Sequence, residues 1–341
     1  MDTETLRDDR VLVDARPAPA GAAPPHVRAY AALAGAAVAG GALVWACHVR
    51  GQQLLDVGAR ITMAAPPLMG GIRLYRPRLL DLGVAGAVVL AATALALVRA
   101  RRWGVVVAGA LVLTAAWTVG FGLLDTPHGL TRPLEDVTEY LADVPTAAHD
   151  LGDFGRQFVP DVQAGRLEAQ AAGHPPGPMV VLAALDDAGL GGPGWAAALC
   201  IGAGVSSVAA VLLTVREVAG EDWARRAVPF LVVSPLWLWV ATSADALYLG
   251  LAAWTVLAVV LAARRSGRTA AVATVAAGVG AAALALSSYG LVLMATVPLA
   301  TVAATWRHAD PPSRRALAGR AAAAAVIAVG IVSVLWWAWG F

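Results

Sequence analysis

The chain alternates long apolar segments with short polar connections, many of them rich in arginine. Apolar runs of about 20 residues are what an α-helix needs to cross the hydrocarbon core of a bilayer. A helix also satisfies every backbone amide and carbonyl within its own segment. The pattern therefore predicts an all-α fold, a polytopic transmembrane helix bundle of about nine spans. The predicted spans are residues 29–49, 81–98, 103–124, 193–214, 227–244, 246–263, 269–287, 289–306 and 316–340.

The two ends of the chain differ in character. Residues 1–28 are polar, mixed in charge and rich in Pro and Ala, which is typical of a disordered cytoplasmic tail rather than a cleavable signal peptide. Residues 29–341 form the predicted transmembrane domain. Its last span runs almost to Phe341. The sequence leaves open whether that helix ends at the outer surface or the chain is truncated there.

Arginine clusters orient the predicted bundle, because cytoplasmic connections carry an excess of basic residues. They follow the second, fourth, sixth and eighth spans: Arg99, Arg101 and Arg102; Arg216, Arg225 and Arg226; Arg264, Arg265 and Arg268; Arg307, Arg314 and Arg315. Placing them inside predicts a multi-pass plasma-membrane protein with a cytoplasmic N-terminus and an extracytoplasmic loop at 125–192. Residues 50–80 disagree, since they are arginine-rich on the predicted outer side. A re-entrant stretch at Ile61–Ile72, broken by prolines and glycines, would reconcile them.

Composition narrows the function classes. The chain is 59% apolar and 14% charged, and its 25 basic residues include no lysine. No basic stripe with interleaved aromatic residues occurs, so nucleic-acid binding is not indicated. Cys47 and Cys200 lie in apolar spans, where we expect small buried side chains rather than a disulfide or metal site. Interface belts and packing are expected of Trp237, Trp239, Trp336, Trp337 and Trp339.

The first half of the 125–192 loop is acidic. Thr131 is a candidate N-cap and Pro133 suits a first turn, so the pattern predicts a short helix over Leu134–Val144. Helical spacing makes one stripe of Asp136, Tyr140 and Asp143, and an adjacent stripe of Glu135 and Glu139. Acids that face a cavity at the membrane surface provide a general base for an attacking hydroxyl. The alternative is a solvated acidic face on an extracellular loop.

The second half of the loop contains His174-Pro175-Pro176-Gly177. A residue before proline avoids the α region, so we expect His174 to be extended. Residues 178–190 are helical in character but too short to span a bilayer, which predicts an interfacial helix that closes at Gly189. His174 then precedes a helix N-terminus, a position that favours a phosphate. The alternative is a histidine in a proline-rich turn.

These two elements, in this order after a membrane span, resemble the GT-C superfamily of glycosyltransferases that use polyprenyl-phosphate sugars. The likeness is greatest to the protein-mannosyltransferase and aminoarabinose-transferase type. Asp136 with Tyr140 is similar to an Asp-Glu-x-x-Tyr element, although Val137 replaces the second acid and Glu135 precedes the first. The segment starting at His174 is similar to a His-Pro-Pro element. The resemblance covers residues 103–265.

A third element follows the interfacial helix. Residues 234–239 and 243–248 have a residue pattern similar to the family's Ser-Pro-rich core, and each run begins with a serine. There the family often carries an arginine that contacts phosphate, and this chain has Asp245 instead. Asp245 is either a carboxylate at the end of a loop or a second acid that faces the same cavity.

The resemblance implies an inverting transfer of a sugar from a polyprenyl-phosphate donor to an extracytoplasmic hydroxyl of a glycan, lipid or protein. Asp136 is the implied general base, and His174 with the helix N-terminus stabilises the departing phosphate. Further substrate contacts are implied for Arg132, Glu135, Tyr140 and Asp245. No resident cofactor is expected. His128 and His149 show no metal-ligand spacing, so no metal ligand is assigned, although a divalent metal stays open.

Two other function classes compete with this one. A transporter or flippase for a lipid or small solute would carry inverted repeats and interrupted helices at the bilayer midplane. No clear internal repeat is present, and the predicted spans hold few central charges. A non-catalytic assembly subunit is the third class, favoured only by the departures from the family pattern.

Overall fold

The computed structural model describes residues 25–58, 79–97, 102–124, 126–147, 150–237 and 243–339. The chain divides into two compact units, residues 1–76 and 77–341. Several sequence predictions lie outside the described residues: most of the N-terminal tail, the re-entrant stretch at Ile61–Ile72, His149, Trp239 and Phe341.

The first unit contains helix α1, Pro25–Asp56, which extends the predicted span by several residues at each end. It is long and apolar enough to cross a bilayer from Tyr30 onward. Cys47 is half-buried, so the prediction of a buried side chain is only partly confirmed there. The chain turns after this helix at Gly58, whose positive φ of 75° suits glycine.

The second unit is built of helices joined by turns and short extended segments, with no strand among its described residues. Its helices are α2 Leu79–Leu97, α3 Trp103–Gly122, α4 Val144–Ala147, α5 Leu151–Gln163, α6 Ala169–Gly173, α7 Gly177–Asp187, α8 Pro193–Ala219, α9 Glu221–Val232, α10 Ala244–Arg264, α11 Gly267–Ala285, α12 Thr296–His308 and α13 Pro311–Trp339. Turns of 3-10 helix cover Arg132–Glu135, Tyr140–Ala142 and Tyr289–Ala295.

Across both units, the described part of the chain has seven helices that are long and apolar enough to span a membrane. They are Tyr30–Asp56, Trp103–Gly122, Pro193–Ala219, Ala244–Arg264, Gly267–Ala285, Tyr289–Arg307 and Pro311–Trp339. The protein is therefore a multi-pass helical membrane protein. The apolar helix at Asp81–Leu97 is shorter, and the count of about nine spans stays a prediction.

The predicted span 227–244 is not one continuous helix. Helix α9 ends at Val232, and the amide of Val233 caps it by donating to the carbonyl of Pro229. Ser234 and Pro235 follow in a turn, as expected because proline disfavours helical backbone in the residue before it. Trp237 comes next and is 4% exposed within the core, with its Nε1 donating to the carbonyl of Leu231 at 2.7 Å. Of the interface belts and packing expected for this tryptophan, the structure shows packing in the core.

Small residues allow close packing of the central helices. A Cβ on Gly250 of α10 would lie 2.5 Å from the carbonyl oxygen of Ala203 in α8. On the other side of α10, Gly280 of α11 packs against Thr255. Lipid tails are as apolar as the helix surfaces, so such van der Waals contact between backbones is a main source of helix association in membranes. The confirmed burial of Cys200 belongs to the same core.

The antiparallel helices bring the described arginine clusters of the second unit to one end of the bundle, here called the arginine end. There Arg265 at the end of α10 pairs with Glu217 near the end of α8. Arg320 of α13 donates to the carbonyls of Ala262 and Arg265, each at 2.9 Å. The opposite end, here called the loop end, carries the N-termini of α8 and α10 and the connection at 126–192. The segregation that the arginine pattern predicts is therefore confirmed for these clusters.

Replacement of Gly250 by alanine tests the close packing. Because the added methyl meets backbone rather than a flexible side chain, we expect the free energy of unfolding to fall by about 1–3 kcal/mol. The matched control is Gly202→Ala on α8, where a Cβ meets nothing within 4 Å and the melting temperature should hold or rise. Thermal unfolding in detergent, followed by tryptophan fluorescence, measures both. Equal melting temperatures for the two variants would contradict the close approach of α8 and α10.

Candidate active site

The loop at the loop end folds around a hydrophobic core of its own. The core comprises Tyr140, Val144, Ala147, Phe154, Phe158, Leu167, Ala171, Met179 and Ala183. Phe154 and Phe158 meet edge to face with ring centroids 5.7 Å apart. Asp150 caps the N-terminus of α5 by accepting a hydrogen bond from the amide of Asp153 at 2.7 Å. The segment is thus a small folded layer that holds its polar residues in place.

The predicted helix over Leu134–Val144 is wrong. The segment forms two separate 3-10 turns, and Asp136 between them is extended, with φ −61° and ψ 137°. Thr131 occupies the N-cap position but makes no side-chain cap bond. The side chain of Asp136 accepts instead from the amide and the hydroxyl of Thr138, at 2.9 and 2.7 Å. This local closure competes with helix formation, as short Asp side chains commonly do.

Breaking that helix separates the predicted acidic stripes. Asp136 is exposed, whereas Asp143 is only 5% exposed. The carboxylate of Asp143 accepts a hydrogen bond from the amide of Glu168 at 2.9 Å, just ahead of α6. Asp143 is therefore a structural residue of the loop.

The second predicted element is confirmed in outline. His174 is extended, with φ −128° and ψ 161°, as its position before proline requires. Helix α7 begins at Gly177 and ends at Asp187, and Gly189 follows with a positive φ of 76°. The Pro-Pro-Gly segment thus turns an extended strand of chain into a helix directly after the histidine.

Carbonyl groups of the protein engage two of the amides at the N-terminus of α7. The amide of Gly177 donates to the carbonyl of Leu286 after α11, at 2.8 Å. Pro178 has no amide hydrogen, and the amide of Val180 donates to the carbonyl of Pro176 at 3.0 Å. The backbone of Leu286 also fills the space that a Cβ on Gly177 would need. This glycine therefore anchors the loop to α11, and its amide is engaged by a carbonyl of the protein.

Tyr140, His174 and Tyr248 form an aromatic cluster between the loop and α10. The hydroxyls of the two tyrosines are hydrogen-bonded at 2.8 Å across 108 residues of sequence. The ring centroid of His174 lies 6.0 Å from that of Tyr140 and 6.4 Å from that of Tyr248. His174 donates from Nδ1 to the carbonyl of Gln170 at 2.9 Å, since a carbonyl oxygen only accepts. Its Nε2 is thus the nitrogen left for a ligand.

Glu139 and Asp245 lie near this cluster, Asp136 lies near Glu139, and Glu139 is the least exposed of the three carboxylates. Burial raises the pKa of Glu139 first, the negative charges of Asp136 and Asp245 raise it further, and His174 lowers it. The two hydrogen bonds from Thr138 hold the pKa of Asp136 below its ordinary value. Asp245 lies in the first turn of α10, where Ser243 accepts from its amide. Asp245 is therefore close enough to act electrostatically on the loop.

Tyr140 is held in its protonated form. Burial raises its pKa to about 12, although the hydrogen bond with Tyr248 opposes that shift. Within a pair of hydroxyls, one donates and the other accepts. The accepting tyrosine consequently keeps one O–H hydrogen that the pair does not use.

The other predicted site residues stand apart from the cluster. Arg132 and Glu135 are exposed on the first 3-10 turn, and neither forms an ion pair with another described residue. Among the described residues, no group of three or more His, Cys, Asp or Glu side chains is arranged to hold a metal ion.

Sequence reasoning left Glu139 and Tyr248 out of the predicted site. The predicted helix placed Glu139 on a different stripe from Asp136 and Tyr140. That helix does not form, so the stripes do not describe which acid lies beside the tyrosine. Tyr248 follows Asp245 by three residues on a helix, so both occupy one face. That spacing was the available signal for it.

Comparisons with known proteins found no match for this chain. No family model matches it, and neither the search of curated proteins nor that of solved structures returned a significant match.

Replacement of Glu139 by glutamine tests the burial of its carboxyl. Because the pKa of Glu139 is raised, the folded state favours the protonated carboxyl. The stability that Glu139 contributes is therefore fully present in acid and is lost as the pH rises through the pKa of Glu139 in the folded state. We therefore expect Glu139→Gln to melt at a higher temperature than wild type at pH 8, and the difference to vanish near pH 4. Glu135→Gln, an exposed carboxylate nearby, is the control and should change little. A wild type more stable than Glu139→Gln at pH 8 would contradict the burial.

The tyrosine pair gives a second prediction. Tyr248→Phe leaves the hydroxyl of Tyr140 buried without its partner, which should cost about 1–3 kcal/mol of unfolding free energy. The double variant Tyr140→Phe with Tyr248→Phe removes both hydroxyls and should cost less than the two single variants summed. Tyr289→Phe is the control, because Tyr289 is 67% exposed. Additive losses in a double-mutant cycle would show that the hydroxyls do not interact.

Proposed function

We propose that this protein is a membrane glycosyltransferase, which moves a sugar from a polyprenyl-phosphate donor to an acceptor hydroxyl at the loop end of the bundle. The observation that carries the proposal is the half-buried Glu139 beside His174, Tyr140 and Tyr248, at the junction of a folded loop and a membrane-spanning helix. A lipid-linked donor needs a site at the membrane surface, where its chain stays in the bilayer and its sugar meets water-borne groups. The resemblance of the two loop elements to GT-C enzymes supports the same class.

In the proposed reaction, the oxygen of the acceptor hydroxyl attacks the anomeric carbon while a carboxylate of the protein accepts the hydroxyl proton. The bond from that carbon to the phosphate oxygen breaks on the opposite face, so the configuration inverts. Polyprenyl phosphate departs with the bonding electron pair. The groups required are one base and donors directed at the phosphate.

Glu139 fits the role of base better than Asp136. A general base works best when its pKa lies near the working pH, and the pKa of Glu139 is raised whereas that of Asp136 is lowered. The two hydrogen bonds from Thr138 to Oδ1 of Asp136 stabilise its ionised form, which makes this carboxylate a weaker base. We assign the base to Glu139 and give Asp136 an electrostatic role, because its charge raises the pKa of Glu139.

Donors for the departing phosphate are His174 and the tyrosine pair. His174 has its Nε2 free of the bond that holds Nδ1, and a protonated imidazole donates from Nε2 to a phosphate oxygen. The tyrosine that accepts within the pair has one further O–H to donate. The predicted contribution of Arg132 rests on its loop position alone.

Sugar transfer by the purified protein in liposomes is the direct test. A panel of labelled polyprenyl-phosphate sugars is offered to wild type and to Asp136→Asn, Glu139→Gln and His174→Ala. Removal of a general base typically costs about 10²–10⁴ in rate, so Glu139→Gln should lose that factor and Asp136→Asn should lose less. The wild-type rate should also fall with acidification at a higher pH than for an ordinary carboxylate, because the pKa of Glu139 is raised.

Glu135→Gln is the matched control and should retain its rate. Loss confined to Asp136→Asn would move the base to Asp136 and keep the reaction. Transfer that survives in every variant would remove the proposed site. If no donor is transferred and folded wild type shows no saturable binding of any labelled donor, the proposed class is wrong.

A further inference from the structure

An open apolar groove of about 700 Å³ lies between α10 and α11. One wall is a helical stripe of α10 that includes Leu251, Trp254 and Leu261. The other wall is formed by residues of α11, among them the small side chains of Ala273 and Ala276. Both helices are long and apolar enough to span a membrane, so the groove opens into the hydrocarbon region.

The groove has the length of one leaflet. Its wall on α10 runs from Leu251 to Leu261, which at 1.5 Å per residue is about 15 Å. The hydrocarbon core of a bilayer is about 30 Å thick. The groove begins below the loop end of α10 and reaches the arginine end. It therefore suits a single hydrocarbon chain of a lipid in the leaflet at the arginine end.

The guanidinium of Arg268 lies at the arginine end of the groove. Arg268, in the first turn of α11, lines it and is exposed. The neighbouring Arg264 and Arg265 are engaged by Glu217, whereas Arg268 forms no ion pair with any described residue. An unneutralised guanidinium beside a chain-shaped groove has the charge to bind a phosphate, which arginine contacts with two parallel hydrogen bonds.

We propose that this groove binds a phospholipid with an anionic headgroup, with one acyl chain along α10 and α11 and the phosphate on Arg268. The site is distinct from the acid cluster. Glu139, Asp245 and Tyr248 gather at the first turns of α10, whereas Arg268 lies beyond its last residue. The lipid fills the gap between two helices of the bundle core and so stabilises the fold whatever reaction the loop end performs.

Native mass spectrometry of the full chain, released from detergent with added phosphatidylglycerol or phosphatidylcholine, tests the proposal. Wild type should retain one phosphatidylglycerol about tenfold more tightly than phosphatidylcholine. Arg268→Gln should abolish that preference. Ala276→Phe fills the groove and should weaken both lipids. Arg226→Gln is the control, because Arg226 lies at the same end over the ring of Trp223 and does not line the groove.

Melting temperatures in the same lipids give a second readout, since a ligand that binds the folded state raises the melting temperature. Phosphatidylglycerol should raise it for wild type and Arg226→Gln but not for Arg268→Gln. Equal retention of the two lipids by wild type would overturn the proposal. So would an Arg268→Gln variant that keeps the preference, or a groove occupied by a second copy of the chain, seen as a dimer that Ala276→Phe dissociates.

Discussion

The hydrogen bond between Tyr140 and Tyr248 is the interaction on which the candidate site depends. It joins a loop residue to a membrane-spanning helix across 108 positions and is buried from solvent. The rings of the two tyrosines lie against the ring of His174. The contact between the loop and α10 also brings Glu139 near Asp245. Since an unpaired buried hydroxyl is costly, this contact selects one placement of the loop over the alternatives.

Two further contacts hold the loop against the membrane-spanning helices. The amide of Gly177 donates to the carbonyl of Leu286, and Gly155 of α5 packs against the indole of Trp339 at the end of α13. Both contacts require glycine, because a Cβ would enter the space of the partner. The loop therefore rests on α10, α11 and α13 together.

The two ends of the bundle differ in the charged groups that they carry. At the loop end, burial raises the pKa of Glu139, the charges of Asp136 and Asp245 raise it further, and His174 lowers it. At the arginine end, guanidinium groups outnumber their carboxylate partners, and Glu217 alone engages Arg264 and Arg265.

The sequence by itself determined the helical membrane class, the gathering of arginines at one end and the extended His174 before a short helix. Each follows from a local rule: hydrocarbon excludes unpaired backbone groups, and proline restricts the residue before it. The tertiary structure decided which acid is desolvated. Glu139 and Asp136 are three residues apart with similar chemistry, and only the packing of the loop on α10 buries the former while Thr138 ties the latter. Burial depends on distant residues, so local pattern carried no signal for it.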